Sequence, residues 1–188
     1  NNDKGVGKRN LEECAMMIEV RASNCYAFEK EIIFSMKADM RNKKFAANVH
    51  RENNFNVLKT AGIYGPNNAG KTCLIKCIRA IKRVLLNEKS GLMKNIFTDS
   101  DICELGVTFM QSGRNFSFDF KYDVRKEEYI YESFSEIFED QYNNEREVCW
   151  LKKDCVNEIY QCMDEDVQVM IPIVSKNNLL CYLIDTSK

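Results

Sequence analysis

The residues best suited to chemistry lie together as Gly65-Pro66-Asn67-Asn68-Ala69-Gly70-Lys71-Thr72, a G-x-x-x-x-G-K-T run. Two glycines at this spacing let the backbone curl tightly, so that successive N–H groups turn inward toward one anion. A helix starting at Gly70 adds its unpaired first-turn amides and the positive end of its dipole. Lys71 is placed to reach the β- and γ-phosphates of a polyphosphate, and the Thr72 hydroxyl to ligate Mg²⁺. With glycine at about 7% of average composition, such a run arises by chance in a chain of this length less than roughly once in a hundred. The pattern points to a phosphate-binding loop in which Gly65, Pro66, Asn67, Asn68, Ala69, Gly70, Lys71 and Thr72 hold the ligand. Lys71 is the group that neutralises charge developing on the phosphates.

A loop of this kind has to be held between a strand and a helix. Residues 57–64 (VLKTAGIY) predict a strand ending on Gly65, and the spacing predicts a helix from Gly70 to about Glu88. In that helix Leu74, Ile78, Ile81 and Leu85 share one face, while Lys76, Arg79, Lys82 and Arg83 lie mostly elsewhere. Upstream, residues 16–21 and 26–36 predict two strands separated by a turn at Ser23-Asn24, and residues 37–55 a loop or short helix. Downstream, residues 102–110, 115–124 and 128–134 predict a meander with Phe116, Phe118, Phe120 and Tyr122 on one face. Residues 147–152 and 157–163 read as a further pair around Asp154, and residues 177–185 fit helix or strand equally well.

Composition bounds the rest. The chain has 188 residues with 27 basic and 28 acidic side chains, so no global charge field announces a nucleic acid, a membrane surface or an acidic partner. No apolar run approaches the roughly 18 residues of a membrane span; the longest, such as 167–174, stop short. One soluble domain is the expectation. The nine cysteines are an odd number and residues 1–10 lack an apolar stretch, which predicts reduced thiols and a cytoplasmic location. There is no C-x-x-C pair and His50 is the single histidine, which excludes a Cys/His zinc pattern. Cys149, Cys155 and Cys162 read as small hydrophobes, and Cys73 and Cys77, one helical turn apart, suit packing as well as ligation. The basic helix face, the pair His50-Arg51 and the acidic run Glu127, Glu128, Glu136, Glu139 and Asp140 read as solvated, and Trp150 as a core residue.

The loop GPNNAGKT, the strand Ile18-Glu19-Val20 leading into Asn24-Cys25-Tyr26-Ala27-Phe28, and the β-layer after the helix together resemble a known family. They are similar to the ATP-binding heads of ABC-class P-loop ATPases, in particular SMC-like bacterial AAA-type proteins of the abortive-infection and overcoming-lysogenization-defect kind. The resemblance runs from about Met16 to the last residue, and only the phosphate loop is strongly diagnostic. It implies an α/β P-loop NTPase fold, an ABC-type N-terminal lobe with an antiparallel β-layer beside the phosphate-loop helix. Residues 1–15 would be a tag, extension or flexible arm, and residues 16–188 the N-terminal part of the ATP-binding domain. The family's basic residue in the opening turn is replaced by Tyr26 or Ala27, which leaves Tyr26 a packing role. ATP and Mg²⁺ are the implied cofactors, and Gln111, closing a strand, would add a contact to Mg²⁺. A Walker B strand ending Asp-Glu is missing; residues 181–185 (CYLID) end in Asp, but Thr186 follows where Glu is wanted, and the segment reads as plain amphipathic chain. Hydrolysis would then need a further half and a second subunit in a homodimer or head-to-head assembly. A nuclease or toxin effector, in phage defence, is the implied partner, with nucleic acid left open and no membrane. Two other readings stand beside it: a non-catalytic nucleotide-sensing module, and a P-loop kinase or GTPase, the last disfavoured for GTP because no N-K-x-D occurs.

Overall fold

Short turns decide the topology. The computed structural model describes residues 15–39, 41, 44–52, 55–139 and 145–163. Its elements in chain order are β1 (Met16–Ser23), β2 (Ile32–Ser35), a 3-10 turn (Ala46–Asn48), β3 (Val49–Glu52), β4 (Phe55–Leu58), α1 (Lys71–Leu85), β5 (Ile102–Gln111), β6 (Arg114–Asp123), β7 (Glu128–Glu139), β8 (Glu145–Asp154) and β9 (Ile159–Cys162). Seven strands form one sheet in the order β2-β1-β5-β6-β7-β8-β9, and β3 pairs with β4 in a separate hairpin. Every pairing among the described strands is antiparallel.

The turns show why. Between β5 and β6 stand only Ser112 and Gly113, both at positive φ (52° and 71°), the geometry of a type I′ hairpin. Asp123 and Asp154 close the next tight connections in the same way. Asp123 Oδ1 accepts from the Arg125 and Lys126 amides, and Asp154 Oδ1 from those of Val156 and Asn157. Each connection then passes through a glutamate at φ 56°, Glu127 or Glu158. Parallel neighbours need a crossover of about a dozen residues or more, and these connections are far shorter.

This corrects the expected α/β P-loop NTPase architecture. That fold requires a central parallel sheet covered by several helices, whereas the described residues form antiparallel sheet with a single α-helix. The strand ahead of Gly65 is four residues long, not eight, and lies in the β3–β4 hairpin rather than at the centre of the main sheet. The strand expected over 26–36 shrinks to β2, because the chain first makes a tight turn in which Asn24 and Tyr26 take positive φ. The expected meander is present and longer, with β7 reaching Glu139. Segments 164–188, including residues 177–185, lie outside the described residues.

One helix face packs on one sheet face. Leu74, Cys77, Ala80, Ile81 and Val84 of α1 are buried. Most of them join Val20, Ala22, Cys103, Leu105, Val107, Phe118, Phe120 and Tyr122 in the main core. The face is turned from the one the sequence predicts: Cys77, Ala80 and Val84 are buried, and Ile78 and Leu85 flank the cluster. A second cluster of Ile18, Met36, Phe55, Val57 and Met110 fastens the β3–β4 hairpin to the start of β1 and the end of β5. On the opposite sheet face Arg21 donates to Asp119, Glu19, Thr108 and Ser117. Gly106 is needed there, because a Cβ would collide with the Asp119 carboxylate.

Two ion pairs alter the expected surface. Glu136, expected exposed, is buried and takes a forked bond from Arg114 at 2.7 and 2.5 Å, which holds its carboxyl below the usual carboxylate range. The same guanidinium lies over the rings of Phe116 and Trp150, so Trp150 packs edge-on against the Phe116 and Phe134 rings, half-buried at the margin of the sheet. Lys153 and Glu132 are cross-strand partners, both 0% exposed, joined at 2.6 Å. Removing one member of such a pair strands a buried charge, at about 3–5 kcal/mol. Lys153→Met is therefore expected to lower unfolding free energy in urea by that order, and the double variant Lys153→Met, Glu132→Leu to recover most of it. Additive losses would show that the two charges are not coupled.

Candidate functional site

The phosphate-loop motif sits at the junction of hairpin and helix. After β4 the chain is tied to the 3-10 turn: Lys59 N–H donates to Asn48 O, and Asn48 Nδ2 to Thr60 O, both at 2.8 Å. It then runs exposed to Tyr64, whose ring lies over Gly62, where a Cβ would crowd it. From Gly65 it folds back on itself. Ala69 N–H reaches Pro66 O at 3.3 Å, Asn68 takes φ +65° and Gly70 φ +84°. Both are left-handed positions, which asparagine and glycine occupy at least cost.

Helix α1 begins directly behind this turn. Its first bond runs from Leu74 N–H to Gly70 O at 3.0 Å, so the amides of Lys71, Thr72 and Cys73 have no partner within the helix. No acidic residue lies in the first turn, and the helix dipole there favours an anion. The Lys71 ammonium bends back over the loop and donates to Gly65 O at 2.7 Å and Pro66 O at 2.5 Å. A cation, first-turn amides and the exposed Thr72 at the second helical position thus lie together at the start of α1.

The loop is buttressed from the opening turn. The Phe28 ring stands so close that a Cβ on Gly70 would lie 3.1 Å from Phe28 Cε1. Phe28 is fixed by reciprocal backbone bonds with Cys25 at 2.9 and 3.0 Å. Next to it, the Tyr26 hydroxyl donates to Gly91 O, Lys76 lies 5.5 Å above its ring, and burial pushes its phenol up to about 12. Asn24 secures the same turn by donating to the carbonyls of Ser100 and Ile102.

Other residues singled out in the sequence lie apart from this cluster. Gln111 stands at the far end of β5, in a cleft of about 450 Å³ lined also by Met16, His50, Arg51, Glu52, Met110 and Ser112. Ser23 pairs with Glu104 at the near end of the strand, and seven residues of strand, about 23 Å, separate that rung from Gln111. No residue of the loop lines that cleft. His50 Nε2 is 3.0 Å from Glu52 Oε2. Lys76, Arg79, Lys82 and Arg83 are exposed along α1, with Arg83 4.0 Å from Glu88. Cys149, Cys155 and Cys162 are half-buried on β8, the following turn and β9. Among the described residues no group of three or more His, Cys, Asp or Glu could hold a metal ion, and no helix is long and apolar enough to cross a membrane.

Phe28 and the Lys71 carbonyl bonds are the parts of the site that the spacing of residues does not reveal. Phe28 is separated from Gly70 by more than forty positions, and nothing in its neighbours marks it as a buttress. No protein-family model matches the chain, and neither the curated proteins nor the solved structures give a significant match.

Gly70 is doubly constrained, by a positive φ and by Phe28. Gly70→Ala is expected to cost about 1–2 kcal/mol from the left-handed backbone alone, read as a lower unfolding midpoint in denaturant. Ala69→Gly, next to it, should leave the helix start in place; equal losses at the two positions would refute the buttress.

Proposed function

We propose that Gly65 to Thr72 bind the polyphosphate of a nucleotide, ATP with Mg²⁺, at the N-terminus of α1. The observation that carries this reading is the Lys71 ammonium held at 2.5–2.7 Å over the loop carbonyls, beside amides the helix leaves unpaired. An incoming phosphate would take over the ammonium from those carbonyls and accept from the first-turn amides. Thr72 is the residue assigned to Mg²⁺. The loop supplies binding and charge neutralisation; turnover also needs a carboxylate that positions water and a group that closes on the γ-phosphate. Hydrolysis therefore belongs, in this reading, to an assembly that brings those groups to the loop.

Support comes from the match between residue types and backbone. The G-x-x-x-x-G-K-T spacing would be idle if the stretch were extended or its lysine pointed away. Here Asn68 and Gly70 take the left-handed conformations that the tight curl needs, and the lysine folds inward.

Calorimetric titration with Mg·ATP and Mg·GTP tests it directly. Lys71→Ala should weaken ATP binding by roughly ten- to a hundred-fold, the worth of a charge-assisted hydrogen bond at about 1.5–3 kcal/mol. Thr72→Ala should chiefly reduce the dependence of affinity on Mg²⁺. A wild-type chain that binds neither nucleotide in the presence of Mg²⁺ would refute the assignment.

A further inference from the structure

Two thiols meet across the seam that holds the phosphate loop. Cys25, in the turn after β1, and Cys77, in the middle of α1, are 52 residues apart in sequence, yet their sulfurs lie 3.6 Å apart. Both are 0% exposed. Cys103 is close by, its thiol donating to Asn24 O at 3.1 Å, and Cys73, one turn before Cys77, is half-buried. Burial among apolar side chains explains a thiol in a core; it does not require two of them to be in sulfur contact.

The position of the pair gives it a lever. Cys25 is locked to Phe28 by two backbone hydrogen bonds, and Phe28 abuts Gly70. Cys77 stands on the helix whose first turn follows Gly70. A bond between the two sulfurs would join the two sides of the Phe28–Gly70 contact. A disulfide has an S–S length of about 2.05 Å, so the sulfurs must approach by about 1.5 Å. Closing that gap would act across the contact between Phe28 and Gly70.

We propose that Cys25 and Cys77 are an oxidative modification site, a dithiol that closes to an intramolecular disulfide and weakens nucleotide binding at the loop above it. The regulatory half of the inference rests on the phosphate-binding reading; the dithiol itself does not. With hydrogen peroxide as the oxidant, one sulfur, as thiolate, attacks the O–O bond, and hydroxide leaves to give a sulfenic acid. The second thiol then attacks that sulfur, the S–O bond breaks, and water departs as the S–S bond forms. Overall two thiols and one peroxide give one disulfide and two waters; the cysteines lose two electrons and the peroxide gains them. Either sulfur can donate to the other, so a thiolate formed at one is stabilised by the S–H of its partner.

The test uses the whole 188-residue chain. The reduced protein is treated with hydrogen peroxide and unfolded in urea, the remaining thiols are then blocked with iodoacetamide, and non-reduced peptides are weighed. A Cys25–Cys77 cross-linked peptide that dithiothreitol dissolves is expected, with both residues protected from alkylation; Cys77→Ala should abolish it. Affinity for Mg·ATP should fall by about fivefold or more in the cross-linked form and return on reduction, while Cys25→Ala and Cys77→Ala chains should bind alike with and without peroxide. Full alkylation of both residues after oxidation would overturn the proposal, as would a cross-linked form with unchanged ATP affinity. A reduced chain that binds no nucleotide would instead defeat the phosphate-loop reading. The cross-linked peptide and a raised unfolding midpoint on oxidation would then decide the dithiol alone.

Discussion

Everything about the loop follows from how one helix is seated. A phosphate-binding turn is useful only if its amides and lysine keep their places, and a single amphipathic helix is marginal in water by itself. Its position comes from Cys77, Ala80, Ile81 and Val84 going into the core formed by β1, β5 and β6. Burial of a side chain such as Ile81 or Val84 is worth about 1.5–3 kcal/mol, and this packing, more than helix propensity, holds the helix in place. Gly70 is the far end of that rigid body, and Phe28 is the stop against which it rests.

The sheet explains why that seat is firm. Two- to four-residue turns make antiparallel neighbours of β5 and β6, β6 and β7, and β8 and β9, and β6 lays Phe118, Phe120 and Tyr122 along the face that results. The opposite face is polar and is organised around Arg21, whose guanidinium reaches partners on β1, β5 and β6. Apolar packing on one side and a hydrogen-bonded network on the other give the sheet two different faces. Only the apolar one receives the helix.

A G-x-x-x-x-G-K-T turn on an antiparallel framework separates two ideas that the sequence motif tends to merge. The chemistry of G-x-x-x-x-G-K-T is local: left-handed positions, a helix N-terminus and a lysine that folds back. The parallel sheet with which such loops are associated is a matter of the strands around them. Here residues 59–64 run as exposed irregular chain, and β4 pairs with β3 alone, so the loop is reached from a hairpin. Function is argued from the site, and the surrounding architecture is a separate finding.

Local signals were legible in the sequence wherever the physics is local. The meander over 102–134 and the strand pair around Asp154 were marked out, Gly70 marked the helix start, and alternation placed Phe116 to Tyr122 on one face. Tertiary structure alone decided the partners. Neutral-looking Cys25 and Cys77 met across 52 residues, and Glu132 found Lys153 in a site without solvent. Phe28 came to bear on Gly70, and residues 59–64, strand-like in pattern, join no strand among the described residues. A turn or helix cap is specified by dihedral preferences and nearby donors, which the chain carries with it. Which strand lies beside which, and which charge is buried, depends on contacts between distant segments, and those exist only once the chain has closed.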